Sequence, residues 1–200
     1  LLRLGRIEGG AEERLAGAAA LLGSVPEAEQ ADPAVQLAWA EYEVARGEFA
    51  AANKRLGPLL ASASAEVAGR AAYVAGLAAL REGKNMAGAT GHFEAAQRAL
   101  PKDAAVKAAL AETLLRAATY QEARQAAEAA LSLSAGASPA HKARARACSA
   151  LPDLSCAAES WAKARELVPG DADAALGEAA FLWQDQKDSE AAGRALQAVV

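Results

Sequence analysis

β-Sheet formers and aromatic residues are scarce in this chain of 200 residues. Isoleucine occurs once, at Ile7, and tryptophan, tyrosine and phenylalanine occur three times each. Because β-branched and aromatic residues are enriched in strands, their scarcity argues against a sheet. Alanine, the strongest helix former, fills 60 positions instead. The composition therefore predicts an all-α fold whose helices approach one another closely.

Basic excess and long apolar runs are also missing. The chain has 21 Lys and Arg against 25 Asp and Glu, a net charge of −4, so it lacks the cations that nucleic-acid phosphates require. Arg, Glu or Gln interrupts the apolar residues every few positions, whereas a membrane span needs roughly 18 uninterrupted ones. We therefore expect neither nucleic-acid binding nor direct membrane insertion.

Small residues recur along the chain with a period of 34 residues. One column is Ala89, Ala123, Ala157 and Ala191, and a second, seven residues later, is Ala96, Ala130, Ala164 and Ala198. Between them lie Phe93, Ala127, Trp161 and Ala195, and upstream lie Leu80, Leu114, Cys148 and Leu182. Spacings of four and seven residues place side chains on one helix face. Each period therefore predicts two packed helices.

The unit 104–135, with Leu110, Ala111, Leu114, Tyr120 and Ala123 at these positions, resembles a tetratricopeptide repeat. The resemblance implies a right-handed superhelical solenoid of antiparallel helix pairs, with about five to six repeats stacked on a shared core. The predicted repeats are 33–64, 70–101, 104–135, 138–171 and 172–200, preceded by a partial repeat over 1–30. Both ends are apolar, which predicts a fragment of a longer protein.

Arg144 departs from the family pattern, and we expect it to pair with an acid or to reach solvent, with a local distortion.

Residue patterns for catalysis are weak. The glycine-rich segment 83–91 carries Lys84, but the residue order is wrong for a phosphate-binding loop. His141, Cys148 and Cys156 supply at most three ligands, fewer than a closed zinc site needs. The sequence therefore predicts a protein that is not an enzyme and has no cofactor or metal.

Cys148 and Cys156 are the two cysteines, and they fall near the end of one predicted helix and the start of the next. They are a candidate disulfide that spans this turn, or two small buried thiols in a reducing compartment. The thiol form favours the cytoplasm, and the oxidised form indicates the periplasm.

The resemblance places the first helix of each pair on the concave wall of the solenoid, where the family binds peptides. The predicted groove residues are Arg81, Glu112, Leu115, Arg116, Lys142, Arg146, Leu176 and Trp183. The cations would hold carboxylates and the apolar residues would hold apolar side chains of an acidic or amphipathic peptide. The alternatives are a solvated charged face and a Trp183 that packs against a following repeat.

Arginine exceeds lysine by 14 to 7, a bias typical of GC-rich bacterial genomes. We therefore predict a non-catalytic scaffold that binds a protein or peptide in a bacterial assembly for secretion, pili, motility or the envelope. The alternative is a self-associating or spacer domain of a larger protein. The sequence leaves the oligomeric state open.

Overall fold

The computed structural model describes residues 11–184 and 187–197, whose regular structure is entirely helical. The predicted all-α fold class is confirmed. The chain divides into two compact units, Leu1–Pro101 (unit 1) and Lys102–Val200 (unit 2). Among the described residues, no helix combines the length and the apolar character that crossing a bilayer requires.

The described part of unit 1, from residue 11 onward, contains five helices and one 3-10 turn. They are α1 (Ala11–Gly23), the 3-10 turn Glu27–Glu29, α2 (Pro33–Ala45), α3 (Phe49–Leu60), α4 (Ala65–Glu82) and α5 (Met86–Ala99). Helices α2 and α3 pack together, as do α4 and α5. Helix α4 begins ahead of residue 70, where the predicted repeat starts, because the side chain of Ser64 accepts a hydrogen bond from the backbone N–H of Val67 and caps the helix there.

In unit 2 the described residues form six helices in three pairs. They are α6 (Ala104–Arg116), α7 (Tyr120–Leu133), α8 (Ser138–Ala150), α9 (Leu154–Leu167), α10 (Ala172–Gln184) and α11 (Ser189–Gln197). Only three residues join α6 to α7 and α8 to α9, so the helices of each pair run antiparallel. Helix α8 also contacts α6 and α10, the first helices of the neighbouring pairs.

Short polar side chains fix where several helices begin. Asp32 begins α2, Asn85 begins α5 and Asp103 begins α6, each by accepting hydrogen bonds from backbone N–H groups of the first turn. These N–H groups have no partner within the helix, so the caps satisfy donors that would otherwise be unpaired.

The core follows the small-residue columns of the sequence through α9. Ala123, Ala127 and Ala130 of α7 are fully buried, and so are Ala157 and Ala164 of α9. In α11, Ala195 of the predicted columns is buried, whereas Ala191 is half-buried and its neighbour Ala192 is buried. Ala198 lies outside the described residues.

Two glycines let large rings approach the first helix of a pair. A Cβ on Gly76 of α4 would lie 2.7 Å from the ring of Phe93 in α5. A Cβ on Gly177 of α10 would lie 2.1 Å from the indole of Trp161 in α9. Contacts this short are not tolerated, so each glycine is required by the ring that covers it.

Candidate functional site

Seven of the eight predicted groove residues lie on the first helices of unit 2. Helix α6 carries Glu112, Leu115 and Arg116, helix α8 carries Lys142 and Arg146, and helix α10 carries Leu176 and Trp183. Helix α8 contacts both α6 and α10, and we call the surface of these three helices the wall. Leu115 is half-buried there against Ala111, Ala127 and Ala143. Arg81 belongs to unit 1, at the last turn of α4, where its guanidinium donates to the carbonyl oxygen of Val44 at 3.4 Å.

Charged side chains on this wall form an alternating series, which we call the ion-pair chain. Its members in order are Arg116, Glu112, Arg146, Asp173, Lys142 and Asp171. Nε of Arg116 lies 3.3 Å from Glu112, whose other oxygen lies 3.1 Å from Nη1 of Arg146. Nη2 of Arg146 lies 2.5 Å from Asp173. Nζ of Lys142 then lies 3.0 Å from Asp173 and 2.7 Å from Asp171. Three cations and three carboxylates balance, so the predicted basic centre is neutral as a group.

The inner end of the ion-pair chain is well shielded from water, since the side chain of Lys142 is 16% exposed. Burial lowers the pKa of Lys142, but hydrogen bonds and charge attraction from Asp171 and Asp173 outweigh it and hold the pKa above its usual value. Burial likewise raises the pKa of Asp171, yet the ammonium of Lys142 and the backbone N–H groups of α10 bring the pKa below its usual value. Both groups are therefore held in their charged forms.

Arg146 is fixed on a third side by an aromatic ring. Its guanidinium carbon lies 5.8 Å from the centre of the Trp161 ring, within the range of a cation–π contact. Trp161 is buried and reaches α10 at Gly177. Arg146 therefore connects α6, α8, α9 and α10, and its position does not depend on a ligand.

The solvent face of α10 is apolar. Leu176 and Trp183 are each 61% exposed, more than any other large apolar side chain in the described part of the chain, and Ala180 between them is exposed as well. One repeat earlier, the position of Leu176 is occupied by Lys142, which the two aspartates of α10 cover. Two repeats earlier it is Ala108, which is buried in a cluster with Ala140 of α8. These positions are covered by the next first helix on α6 and α8, whereas Leu176 of α10 is exposed.

The two cysteines form a disulfide bond between α8 and α9. Cys148 and Cys156 are both buried, with Cα atoms 5.8 Å apart. Asp153, in the turn between them, caps α9 through the N–H of Cys156 and pairs with Arg124 at 3.0 Å. The two sulfurs and a carboxylate oxygen of Asp153 lie within 4.8 Å of one another, but sulfurs bonded to each other are not thiolate ligands for a metal.

Arg144 finds partners without interrupting its helix. Its Nη1 donates to the hydroxyl of the buried Ser160 at 3.2 Å, and its Nε lies 3.7 Å from Glu128. Helix α8 continues through this position, so the expected distortion of the helix is absent.

Sequence reasoning missed the aspartates that neutralise the cations. Asp171 caps α10 by accepting hydrogen bonds from the N–H groups of Asp173 and Ala174. Its position after Pro169 and Gly170 indicates a helix start and gives no sign of its pairing with Lys142. The pairing of Arg146 with Glu112 was open to prediction, because the two residues are 34 positions apart and of opposite charge. Opposite charges one period apart indicate neighbours on adjacent first helices.

Comparison with known proteins establishes the fold. No protein-family model matches the sequence, and no curated protein matches it. Among similar solved structures, TTC0263, a TPR protein of Thermus thermophilus, is 20% identical with a TM-score of 0.71 over 86% of this chain and 92% of that chain. MamA from Desulfovibrio magneticus RS-1, from residue 41 to its end, is 17% identical with a TM-score of 0.68 over 84% and 92%. YrrB, described as a TPR protein with an unusual peptide-binding site, is 20% identical with a TM-score of 0.64 over 89% and 90%.

The chain is therefore an all-α protein of the helix-pair repeat class. Within that class it has the fold of the tetratricopeptide-repeat proteins, and the resemblance predicted from residues 104–135 is confirmed at the level of the fold.

Proposed function

We propose that this protein is a non-catalytic scaffold that binds a segment of another protein on the wall formed by α6, α8 and α10. The observation that carries the proposal is the open apolar face of α10, where Leu176 and Trp183 are exposed side by side with Ala180. Clustered exposed apolar side chains, and tryptophan above all, mark protein-binding surfaces. The peptide-binding site ascribed to YrrB supports the same use of this fold.

On this wall the apolar residues of α10, with Leu115 of α6, supply most of the binding free energy. Arg116, Glu112, Lys142 and Arg146 supply a rigid polar border, because they are already bonded to one another or to the aspartates of α10. By analogy with the fold family, we propose a bacterial assembly for secretion, pili, motility or the envelope as the setting. Arg81 is proposed as a groove residue of unit 1.

Partner capture with paired variants tests the scaffold. We expect Leu176→Ser with Trp183→Ser to lose a defined set of proteins that crosslinking and quantitative mass spectrometry recover with the wild type. The matched control is Leu133→Ser with Val168→Ser, which removes two exposed apolar side chains of unit 2 that lie outside α10. The control should retain the set. Identical recovery by both variants would contradict the proposal. Light scattering tests the alternative of self-association. A dimer that only the α10 variant disrupts would favour that alternative.

A further inference from the structure

The turns inside the helix pairs α2–α3 and α6–α7 share one hydrogen-bond pattern. In the α6–α7 turn, Ala118 has a positive φ of 58°, and its N–H donates to the carbonyl oxygen of Leu115 at 3.0 Å. The next N–H, that of Thr119, donates to the carbonyl oxygen of Leu114 at 3.0 Å. The same two bonds surround Gly47 in the α2–α3 turn. They satisfy carbonyl groups that the end of a helix leaves without partners.

Proline occupies the corresponding position of the α8–α9 turn. Pro152 lies one 34-residue period after Ala118 and also has a positive φ, of 26°. The proline ring favours a φ of about −65°, so it opposes this turn more strongly than alanine does. Proline also lacks a backbone N–H, so the bond that Gly47 and Ala118 make is missing. Only the second bond remains, from the N–H of Asp153 to the carbonyl oxygen of Cys148 at 2.8 Å.

The disulfide spans this same turn. Cys148 and Cys156 lie four residues before and four residues after Pro152. Both also take part in the turn, because Cys148 accepts the remaining backbone bond and the N–H of Cys156 donates to the carboxylate of Asp153 at 3.2 Å. They are the two cysteines of the sequence, so the other turns are held by backbone hydrogen bonds alone. The covalent bond therefore closes the turn that the backbone itself favours least.

Packing around the disulfide extends to α10. Cys148 and Cys156 belong to a buried cluster that also contains Trp161 of α9 and Phe181 of α10. The indole of Trp161 contacts α10 directly, and the guanidinium of Arg146 in α8 lies against the same ring. The position of α10 therefore depends on side chains that the closed α8–α9 turn holds together.

We propose that Cys148–Cys156 is a regulatory disulfide whose reduction by a dithiol opens the α8–α9 turn, because Pro152 disfavours the closed turn, and loosens α10 from α8. In the oxidised chain α6, α8 and α10 form the wall, and in the reduced chain α10 is no longer held against it. The effect on partner binding rests on the proposed scaffold function, whereas the conformational change does not.

Reduction proceeds by thiol–disulfide exchange. Cys148 is fully buried and Cys156 is 5% exposed, so a thiolate of the reductant reaches Cys156 when the turn opens locally. It bonds to Sγ of Cys156, the bond to Cys148 breaks, and the sulfur of Cys148 leaves with the electron pair and takes up a proton. The second thiol of the reductant loses its proton and attacks the mixed disulfide, which releases Cys156 as a thiolate that is protonated in turn. Two electrons and two protons have then passed to the cysteines, and the reductant has become a disulfide.

Hydrogen exchange of the full chain, oxidised and after treatment with dithiothreitol, tests the conformational change. We expect exchange in the first turn of α9 and in α10 to rise about tenfold or more on reduction, with α2 to α4 unchanged. Pro152→Gly removes both disadvantages of the turn, since glycine accepts a positive φ and supplies the missing N–H. Reduced Pro152→Gly should therefore retain most of the protection of α10.

The matched control is Pro169→Gly, which removes a proline of unit 2 from the turn between α9 and α10. Its reduced form should open as the reduced wild type does. Cys148→Ala with Cys156→Ala should be open without reductant, and adding Pro152→Gly should restore protection. Unchanged exchange in α10 of a wild type whose thiols are both free by labelling would overturn the proposal. Equal opening of reduced Pro152→Gly and reduced wild type would overturn the role of the proline.

Partner capture in both redox states separates the redox switch from the scaffold. The reduced wild type should lose the proteins that Leu176→Ser with Trp183→Ser loses, whereas reduced Pro152→Gly should keep them. Exchange that responds to reduction together with unchanged recovery would overturn redox control of the wall. If the oxidised wild type and the Leu176→Ser, Trp183→Ser variant recover the same proteins, the scaffold proposal fails, and hydrogen exchange still decides whether the disulfide controls the fold.

Discussion

Asp171 has two roles at the residue scale, since it caps α10 and pairs with Lys142. Its pKa is lowered in the folded protein, so its contribution to stability is present above the pKa of the unfolded chain, about 3.9, and is lost as the pH falls through the lower folded value. Asp171→Asn should keep the cap and lose the ion pair, lowering the free energy of unfolding by about 2 kcal/mol near neutral pH.

Denaturant unfolding at neutral and acidic pH measures this effect. The difference between wild type and Asp171→Asn should begin to shrink as the pH falls below about 4, because the unfolded wild-type chain then takes up a proton at Asp171. It should vanish only at a lower pH, where Asp171 is neutral in the folded protein as well. Asp103→Asn is the control, since Asp103 caps α6 through backbone N–H groups. A difference that stays constant across this pH range would show that the ion pair with Lys142 does not stabilise the fold.

At the scale of elements, the turns between paired helices share one backbone requirement. Gly47, Gly83 and Ala118 all have positive φ, at 79°, 74° and 58°. Glycine adopts this conformation freely, whereas alanine loses roughly 1–2 kcal/mol. Ala118→Gly should therefore raise the free energy of unfolding by about 0.5–1 kcal/mol, after the added entropy of the unfolded chain is subtracted.

Thermal and denaturant unfolding measure how these turn variants change the free energy of unfolding. Gly47→Ala should be destabilising by a similar amount, because its Cβ would contact nothing and only the backbone conformation opposes it. Ala117→Gly, at a position with φ −82°, is the control and should not stabilise. If Ala118→Gly behaved like Ala117→Gly, the left-handed turn would carry no strain.

These elements also show what sequence could predict. The helix pairs follow from burial, because a 34-residue repeat of small residues such as Ala123 and Ala157 can only be a repeated packed face. Asp173 was missed because its partners Lys142 and Arg146 lie on another helix, and the rotation that joins them depends on tertiary packing. In α11 the predicted Ala195 is buried, but Ala192 is buried more deeply than the predicted Ala191, a detail that spacing alone does not fix.

At the scale of the whole molecule, the disulfide acts on one unit. Both cysteines of the sequence lie in unit 2, in α8 and α9. A crosslink between residues eight positions apart lowers the entropy of the unfolded chain, worth about 2.5 kcal/mol. Reduction should therefore raise amide hydrogen exchange in α8 and α9, whereas α2 to α4 of unit 1 serve as an internal reference.

The variant with Cys148→Ala and Cys156→Ala is the control and should not respond to reductant. Thiol trapping of the native protein adds a test of compartment, because a buried disulfide persists in the periplasm and is rare in the cytoplasm. Free thiols in freshly trapped protein, with hydrogen exchange that reductant leaves unchanged, would contradict a stabilising disulfide.

The ion-pair chain has one more consequence, which concerns the order in which repeats assemble. Helices α6, α8 and α10 present similar alanine-rich faces, and repeats with similar faces can stack in the wrong sequence during folding. Their charges differ: α8 carries the two inner cations, whereas its neighbours supply the acids that meet them. Two copies of α8 brought together would set Arg146 and Lys142 against like charges. The ion pairs therefore favour the native order of α6, α8 and α10 over stacks in which like charges meet.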